Sequence, residues 1–340
     1  MADAARAAHA RGRHRLTAPP RIAVLVPCRN EAATVATVVT GFRAAVPQCT
    51  IHVYDNGSDD GTAEVARRAG AIVRNEPRPG KGGVVRRMLG EVDADVYVIV
   101  DGDATYDAAS APAMIDELVA NDLDMVTAVR DERGAGAAYR RGHRFGNRAF
   151  NALLGALFGV RPTDMLSGYR ALSRRFAKSF PAASRGFEIE TELTIHALAQ
   201  RLPTSEIRTP YFERPPGSTS KLATYRDGLR ILRMTVSLYR DERPLAFFGI
   251  FALAFAVVGL VLGGSVVVEF METRLVPRFP TAILATGLML LSFLSLACGL
   301  ILHNVARGQR EMKRLAYLAA SAEQPRAAKL AKPMTTSIVR

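Results

Sequence analysis

The sequence predicts an α/β domain with a mostly parallel sheet, followed by an interfacial helix and two transmembrane helices. Three observations lead to this prediction. Short apolar runs alternate with segments of helical periodicity through the first part of the chain. Polar clusters follow directly after several of these apolar runs. Two long apolar runs without a charged residue lie nearer the C-terminus.

The apolar runs are predicted to be strands, and helical segments separate them. The strands are Ile22–Val26, Ile51–Tyr54, Ala71–Arg74, Val96–Val100 and Met125–Ala128, and the helices are Glu31–Phe42, Thr62–Ala69, one opening at Gly80, and Ala111–Ala120. Strands that alternate with helices pair in parallel, and ligands bind beyond their carboxyl ends. The polar clusters at 29–31, 55–60 and 101–103 are therefore expected to converge in one crevice.

Asp101-Gly102-Asp103 follows directly after the predicted apolar strand Val96–Val100. Two carboxylates one residue apart at a strand end can hold Mg²⁺ or Mn²⁺, because such ions prefer oxygen ligands and bridge phosphate groups. The alternative is an ordinary solvated turn. The position of Asp101-Gly102-Asp103 after a buried strand favours the metal site.

Other polar residues at this edge are candidates for contact with a nucleotide. A carboxylate at Asp55 can accept hydrogen bonds from a base or a ribose, while Asp59 or Asp60 caps the following helix. Asn30 and Glu31 either cap a helix or touch the nucleotide.

Lys81 lies between glycines at a helix start and can approach a base or a phosphate closely. The segment is not a P-loop, because Asn75 and Gly82 stand where that motif has Gly and Ser or Thr. A Gly-x-Gly-x-x-Gly pattern is also missing after the first predicted strand, which disfavours a nicotinamide cofactor.

The two uncharged runs, 245–268 and 281–302, each exceed the roughly 18–20 residues that cross a bilayer as a helix. Basic residues flank both runs, so the positive-inside rule puts both flanks in the cytoplasm. The amphipathic stretch 223–243 predicts a helix at the membrane interface, or one packed on the soluble domain. Two buried core helices are the alternative to a membrane hairpin.

The net charge of +13 suggests nucleic acid, but the basic residues gather beside the apolar runs without interleaved aromatic residues, which argues against it. Three distant cysteines fit a reducing compartment. The predicted division is a disordered tail at 1–20, an α/β domain at 21–222, a juxtamembrane helix at 223–243, a transmembrane hairpin at 244–303 and a basic cytoplasmic tail at 304–340.

Several motifs occur in a fixed order along residues 22–222. They are VPCRNE at 26–31, DNGSDDGT at 55–62, GKGG at 80–83, DGD at 101–103, DMLSGYR at 164–170 and RPPGSTSK at 214–221. In this order they resemble the family 2 glycosyltransferases of the GT-A fold. More narrowly, they are similar to dolichol-phosphate mannose synthase and to bacterial polyprenyl-phosphate glycosyltransferases with a two-helix C-terminal membrane anchor.

The resemblance implies a role for each candidate site residue. The nucleotide-sugar would be bound by Pro27, Asn30, Glu31, Asp55, Lys81, Asp101, Arg130 and Arg144, with Asp101 and Asp103 at the metal. The catalytic group would be Asp164, Ser167 and Arg170, and the acceptor phosphate would meet Arg214, Ser220 and Lys221. Thr105 stands where some relatives have a metal-binding glutamine. Glu188 and Glu190 would both face the site in an extended segment and would diverge in a helix.

The implied reaction moves a hexose or N-acetylhexosamine from a nucleotide-sugar, UDP-linked in the most similar bacterial relatives, to polyprenyl phosphate. It would depend on Mg²⁺ or Mn²⁺, would invert the anomeric centre, and would run at the cytoplasmic membrane in a multi-pass protein whose catalytic domain faces the cytoplasm. A flippase and a downstream glycosyltransferase are the expected partners, together with a possible homo-oligomer. The alternatives are a processive polysaccharide synthase and a non-catalytic membrane scaffold.

Overall fold

The computed structural model describes residues 19–131, 163–182, 189–212, 236–237 and 239–322. The chain divides into two compact units. One comprises residues 1–221 together with 313–340, and the other comprises residues 222–312.

The first unit is built on a seven-stranded sheet with the order β3-β2-β1-β4-β6-β5-β7. The strands are β1 Ile22–Cys28, β2 Thr50–Asp55, β3 Ile72–Asn75, β4 Val96–Ile99, β5 Met125–Asp131, β6 Arg170–Ser173 and β7 Thr204–Pro210. All neighbours are parallel except the two pairs that β6 forms with β4 and β5. The predicted mostly parallel sheet is therefore confirmed.

Two strands lie outside those that the sequence predicts. β6 has only four residues, RALS, and follows directly on a polar motif, so it carries no apolar run to reveal it. β7, TSEIRTP, is an exposed edge strand of the sheet, and its polar composition reflects that exposure. Both are strands because of their neighbours in the sheet rather than because of their own composition.

Helices cover both faces of the sheet. The helices of the first unit are α1 Val35–Ala45, α2 Thr62–Arg68, α3 Lys81–Glu91, α4 Ala111–Ala120, α5 Arg174–Ser179 and α6 Ile189–Gln200, with a short 3₁₀ helix at Ala108–Ser110. Alternate residues of β1 point to opposite faces. Val24 packs with Val35 and Phe42 on one face, and Leu25 packs with Met88 on the other. Two apolar cores therefore hold the strand ends in register.

The second unit contains α7, Pro244–Thr273, and most of α8, Phe279–Ala322. The two helices pack closely at Gly259, where a Cβ would lie 3.3 Å from the Ala285 carbonyl oxygen. Both are long and apolar enough to cross a membrane, and only 11% of the most apolar window of each is buried, which does not fit two buried core helices. α8 continues beyond 303 to Ala322. Of the predicted juxtamembrane helix, residues 236–237 and 239–242 are described and are helical.

Candidate functional site

The loops after β1 and β2 are tied together at the carboxyl edge of the sheet. The backbone N–H of Asn30 donates to Ser58 Oγ at 2.8 Å, and Asn30 Oδ1 accepts from the backbone N–H of Asp59 at 3.1 Å. Asp60 Oδ2 accepts from the backbone N–H of Ala32 at 3.0 Å. The first two polar clusters are thus one connected rim, and Asn30 adopts a positive φ of 51° there.

Asp55 and Asp60 have different environments in this rim. Asp60 Oδ1 accepts from the backbone N–H of Thr62 at 3.0 Å and so satisfies the amide of the first residue of α2, while the N-cap position itself is Gly61. Asp55 ends β2, is 5% exposed, and accepts hydrogen bonds from the hydroxyl of Ser58 and, at 3.4 Å, from its backbone N–H. Pro27 is buried within β1 and pairs in register with Tyr54.

Lys81 begins α3, and the loop before it is fastened to β2. Asn56 accepts from the backbone N–H of Gly80 at 2.8 Å and so fixes the position at which the helix starts. The Lys81 ammonium donates to the carboxylates of both Asp101 and Glu190, and the lysine side chain is 11% exposed. Burial acts to lower the pKa of Lys81, but the charges of the two carboxylates outweigh it and raise that pKa above its ordinary value.

The Asp101-Gly102-Asp103 segment leaves β4 in a tightly packed position. A Cβ on Gly102 would collide with the carboxylate of Glu31 and the thiol of Cys28, so a larger residue there would force these side chains to move. Asp103 is 2% exposed, and its Oδ1 accepts from the backbone N–H of Thr105 at 3.2 Å and from its hydroxyl at 2.6 Å. Thr105 therefore orients Asp103. It stands at the position where some relatives have a metal-binding glutamine.

The two aspartates fit a hard divalent cation by the chemistry of their donor atoms. Mg²⁺ and Mn²⁺ are commonly bound through one or two carboxylates, with substrate phosphates completing the coordination. Among the residues that the structure describes, no group of three or more His, Cys, Asp or Glu side chains could hold a metal ion. Asp101 and Asp103 would thus hold such an ion together with a phosphate-bearing ligand.

Asp164 forms a bidentate ion pair with Arg130. Arg130 Nε donates to Oδ2 at 2.7 Å and Nη2 donates to Oδ1 at 2.8 Å, while the backbone N–H of Arg130 lies 3.3 Å from Oδ2. The guanidinium also lies 5.4 Å from the centre of the Tyr211 ring. Arg130, which the resemblance assigns to the nucleotide-sugar, and Asp164, which it assigns to the catalytic group, therefore form a single pair.

Ser167 and Arg170 lie below the surface of the site. Ser167 is 0% exposed and Arg170 is 1% exposed. Arg170 donates from Nε to the Ser167 carbonyl oxygen at 3.0 Å and from Nη2 to the Met165 carbonyl oxygen at 2.7 Å, while Nη1 donates to Thr194 Oγ1 at 2.8 Å. These contacts suit a residue that holds the 164–169 loop in place rather than one that touches a substrate.

The same loop approaches the aspartate segment. A Cβ on Gly168 would collide with the carboxylate of Asp101, and the backbone N–H of Gly168 donates to Tyr106 Oη at 2.8 Å. The loop carrying Asp164 is thus packed directly against the carboxylate of Asp101. Neither Tyr106 nor this contact is apparent from the motifs.

The remaining candidates divide into two groups. Arg144, Glu188, Arg214, Ser220 and Lys221 lie outside the described residues. Glu190 is described, and it is 6% exposed in the first turn of α6. Its spacing from Leu193 and Ala197 puts a carboxylate on the buried side of a helix, which is the sequence signal that could have singled it out.

Comparison with known proteins connects these features to glycosyl transfer. The model of Glycosyl transferase family 2 matches residues 23–180. Glycosyltransferase AglJ of Haloferax volcanii is 32% identical over 302 residues, which cover 88% of this chain and 99% of that relative. Dolichyl-phosphate hexose transferase of the same organism is 29% identical over 222 residues, 65% of this chain and 95% of that relative.

Among solved structures, glucosyl-3-phosphoglycerate synthase from Mycobacterium tuberculosis has the same fold. Its complex with Mn²⁺, UDP-glucose and phosphoglyceric acid matches with a TM-score of 0.51 and 25% identity, over 64% of this chain and 79% of that chain.

Proposed function

The chain belongs to glycosyltransferase family 2, and we propose that it transfers a hexose or N-acetylhexosamine from a UDP-sugar to polyprenyl phosphate. One observation carries the proposal: the same chain has buried, oriented carboxylates at the ligand-binding edge of its sheet and two helices long and apolar enough to cross a membrane. A dolichyl-phosphate hexose transferase among the relatives supports a lipid-phosphate acceptor.

The donor half of the site is proposed to lie at the ends of β1, β2 and β4. The nucleoside would be bound by Pro27, Asn30, Glu31, Asp55 and Lys81, and Asp101 would lie at the nucleotide. Asp101 and Asp103 would hold Mg²⁺ or Mn²⁺, which supplies charge neutralisation of the departing nucleoside diphosphate when bound. Thr105 supports this role because its hydroxyl fixes one oxygen of Asp103.

The acceptor half needs orientation more than proton removal. A phosphate monoester is already anionic near neutral pH, so its oxygen can attack the anomeric carbon without a strong base. Asp164 has both carboxylate oxygens engaged by Arg130, which favours a positioning role over a base. Arg144, Arg214, Ser220 and Lys221 are proposed to meet phosphate groups, because basic and hydroxyl side chains bind them.

The apolar helices are proposed to form a hairpin in the cytoplasmic membrane, with the catalytic domain on the cytoplasmic side. Arginine and lysine flank the hairpin on both sides, which supports this orientation. A lipid-linked sugar made on that side must cross the bilayer before it is used outside. A flippase is therefore expected to move the product across, and an outer-face transferase is expected to use it.

The test is a transfer reaction with full-length protein in detergent. Undecaprenyl phosphate, Mn²⁺ or Mg²⁺, and a panel of UDP- and GDP-sugars are supplied, and glycolipid is detected by mass spectrometry. We expect one sugar per lipid from a single donor, with product lost in Asp103→Asn and in chelator. Asp116→Asn, on the exposed side of α4, is the matched control. Nucleotide release without glycolipid would contradict the acceptor, and a glycolipid carrying several sugars would favour a processive enzyme.

A further inference from the structure

A buried lysine joins two carboxylates from opposite parts of the first unit. Lys81, at the start of α3, donates to Asp101, just after β4, and to Glu190, in the first turn of α6. The side chain of Glu190 is 8% exposed, and that of Lys81 is 11% exposed. The motifs that carry the family resemblance include Lys81 and Asp101 but not Glu190.

Burial of the Glu190 carboxylate lowers the stability of the fold, which points to a specific role for this residue. One of its carboxylate oxygens accepts from Lys81, while the other, Oε2, is buried and has no hydrogen-bond partner among the described residues. An incompletely satisfied buried carboxylate destabilises a fold relative to an apolar side chain of similar size. Stability alone therefore gives a poor account of Glu190.

The contact between Lys81 and Asp101 suggests a role for Glu190. If Asp101 were the only partner of Lys81, a divalent cation and the ammonium would compete for one carboxylate and would repel each other at short range. Because the Glu190 carboxylate also contacts Lys81, the ammonium keeps a counter-ion when the Asp101 carboxylate binds the metal ion. The lysine then remains in place in the donor site.

We propose that Glu190 is a positioning residue for the donor: it holds Lys81 and balances its charge, so that Asp101 can bind the divalent cation of the nucleotide-sugar complex. This inference rests on the proposed function for the donor but not for the lipid acceptor. It assigns a role to a residue of α6, a helix that lies outside the recognised motifs.

The test measures binding of Mn²⁺ in the presence of UDP, and separately of GDP, to full-length protein in detergent. Free Mn²⁺ is followed by electron paramagnetic resonance, so neither sugar transfer nor a lipid is needed. We expect Glu190→Gln to weaken Mn²⁺ binding about tenfold and Glu190→Asp to weaken it less. Glu192→Gln removes the same charge from the same helix and should bind Mn²⁺ like the wild type.

A second comparison separates charge balance from simple loss of structure. In a Lys81→Met background no ammonium competes for Asp101, so adding Glu190→Gln should leave Mn²⁺ affinity unchanged within about twofold. A charge-balance role thus predicts a large effect of Glu190→Gln with Lys81 present and a small one with Lys81 absent. Thermal midpoints of all variants accompany the titrations.

Three results with the variants would overturn the inference. These are wild-type Mn²⁺ affinity in Glu190→Gln, an equal loss in Glu192→Gln, or the same loss whether or not Lys81 is present. Failure of wild-type protein to bind Mn²⁺ with either nucleotide would overturn it as well. Failure to glycosylate undecaprenyl phosphate, with Mn²⁺ and nucleotide binding intact, would contradict the proposed acceptor alone.

Discussion

Arg130 clamps Asp164 with two parallel hydrogen bonds, 2.7 Å from Nε to Oδ2 and 2.8 Å from Nη2 to Oδ1. The pair joins the end of β5 to the loop that precedes β6. Such a fork holds a carboxylate in one orientation. Asp164 is therefore suited to aligning a hydroxyl or a phosphate.

Loss of the ion pair between Arg130 and Asp164 should lower kcat more than it raises the donor KM. In Arg130→Ala, Asp164 loses its fixed orientation, and we expect kcat to fall by roughly 10²-fold with little change in the donor KM. Arg130→Lys keeps the charge but not the two parallel bonds, so it should recover only part of kcat. Steady-state kinetics with varied donor and varied acceptor check this. Unchanged kcat in Arg130→Ala would contradict a positioning role.

Thr105 should influence metal affinity without being essential. Its hydroxyl donates to Asp103 Oδ1 at 2.6 Å, so Thr105→Val leaves the carboxylate but removes part of its support. We expect the concentration of Mn²⁺ for half-maximal activity to rise about tenfold, the low end for loss of a group that orients a metal ligand. Thr40→Val on the exposed side of α1 is the control. Equal Mn²⁺ dependence of both variants and the wild type would contradict this role.

Arg170 should be required for stability and for the geometry of the 164–169 loop. In Arg170→Met, two buried carbonyl oxygens and Thr194 lose their donor, with an expected cost of roughly 2–4 kcal/mol. Burial lowers the pKa of Arg170 to about 10, which still leaves it charged at neutral pH.

Thr194→Val removes only one acceptor of Arg170 and should cost about 1 kcal/mol. Thermal unfolding and kcat, measured side by side, check both variants. A fully active, equally stable Arg170→Met would show that the loop does not depend on this arginine.

His196 should make the first unit sensitive to acid. It packs edge-on to Phe176 and Phe180, and neither ring nitrogen has a hydrogen-bond partner among the described residues. Burial, helped by Lys313, lowers its pKa to about 4 from the ordinary 6.5. Between these values the unfolded chain binds the proton and the folded one does not. Stability should therefore fall as the pH drops from 6.5 towards 4, by up to about 3 kcal/mol.

The measurement for this prediction is the thermal midpoint of the detergent-purified protein across that pH range. His196→Phe should flatten the dependence, while His303→Phe in α8 should leave it as in the wild type. A wild-type midpoint that is constant from pH 6.5 to 4.5 would rule out a buried neutral histidine at this position.

Patterns along the chain were enough to predict the parallel part of the sheet and the two apolar helices. Alternating apolar and helical segments specify β1 to β5, and the length of uncharged sequence specifies α7 and α8, because both depend on hydrophobic patterning along the chain. The end of each strand also predicts which edge carries Asp55 and the aspartate segment. β6 and β7 could not be predicted in this way, since their neighbours in the sheet make them strands.

The identity of the partners among the polar residues could be learned only from the folded structure. Arg130 and Asp164 are 34 residues apart, and Lys81 and Glu190 are 109 residues apart, so no local pattern links either pair. The motif around Arg170 suggests a residue at the reaction, whereas packing buries the guanidinium beneath the loop. Ion pairs and buried hydrogen bonds act over a few ångströms of space, and the sheet order sets that distance. Hydrophobic periodicity can be read along the chain, but contacts between distant residues exist only once the chain has folded.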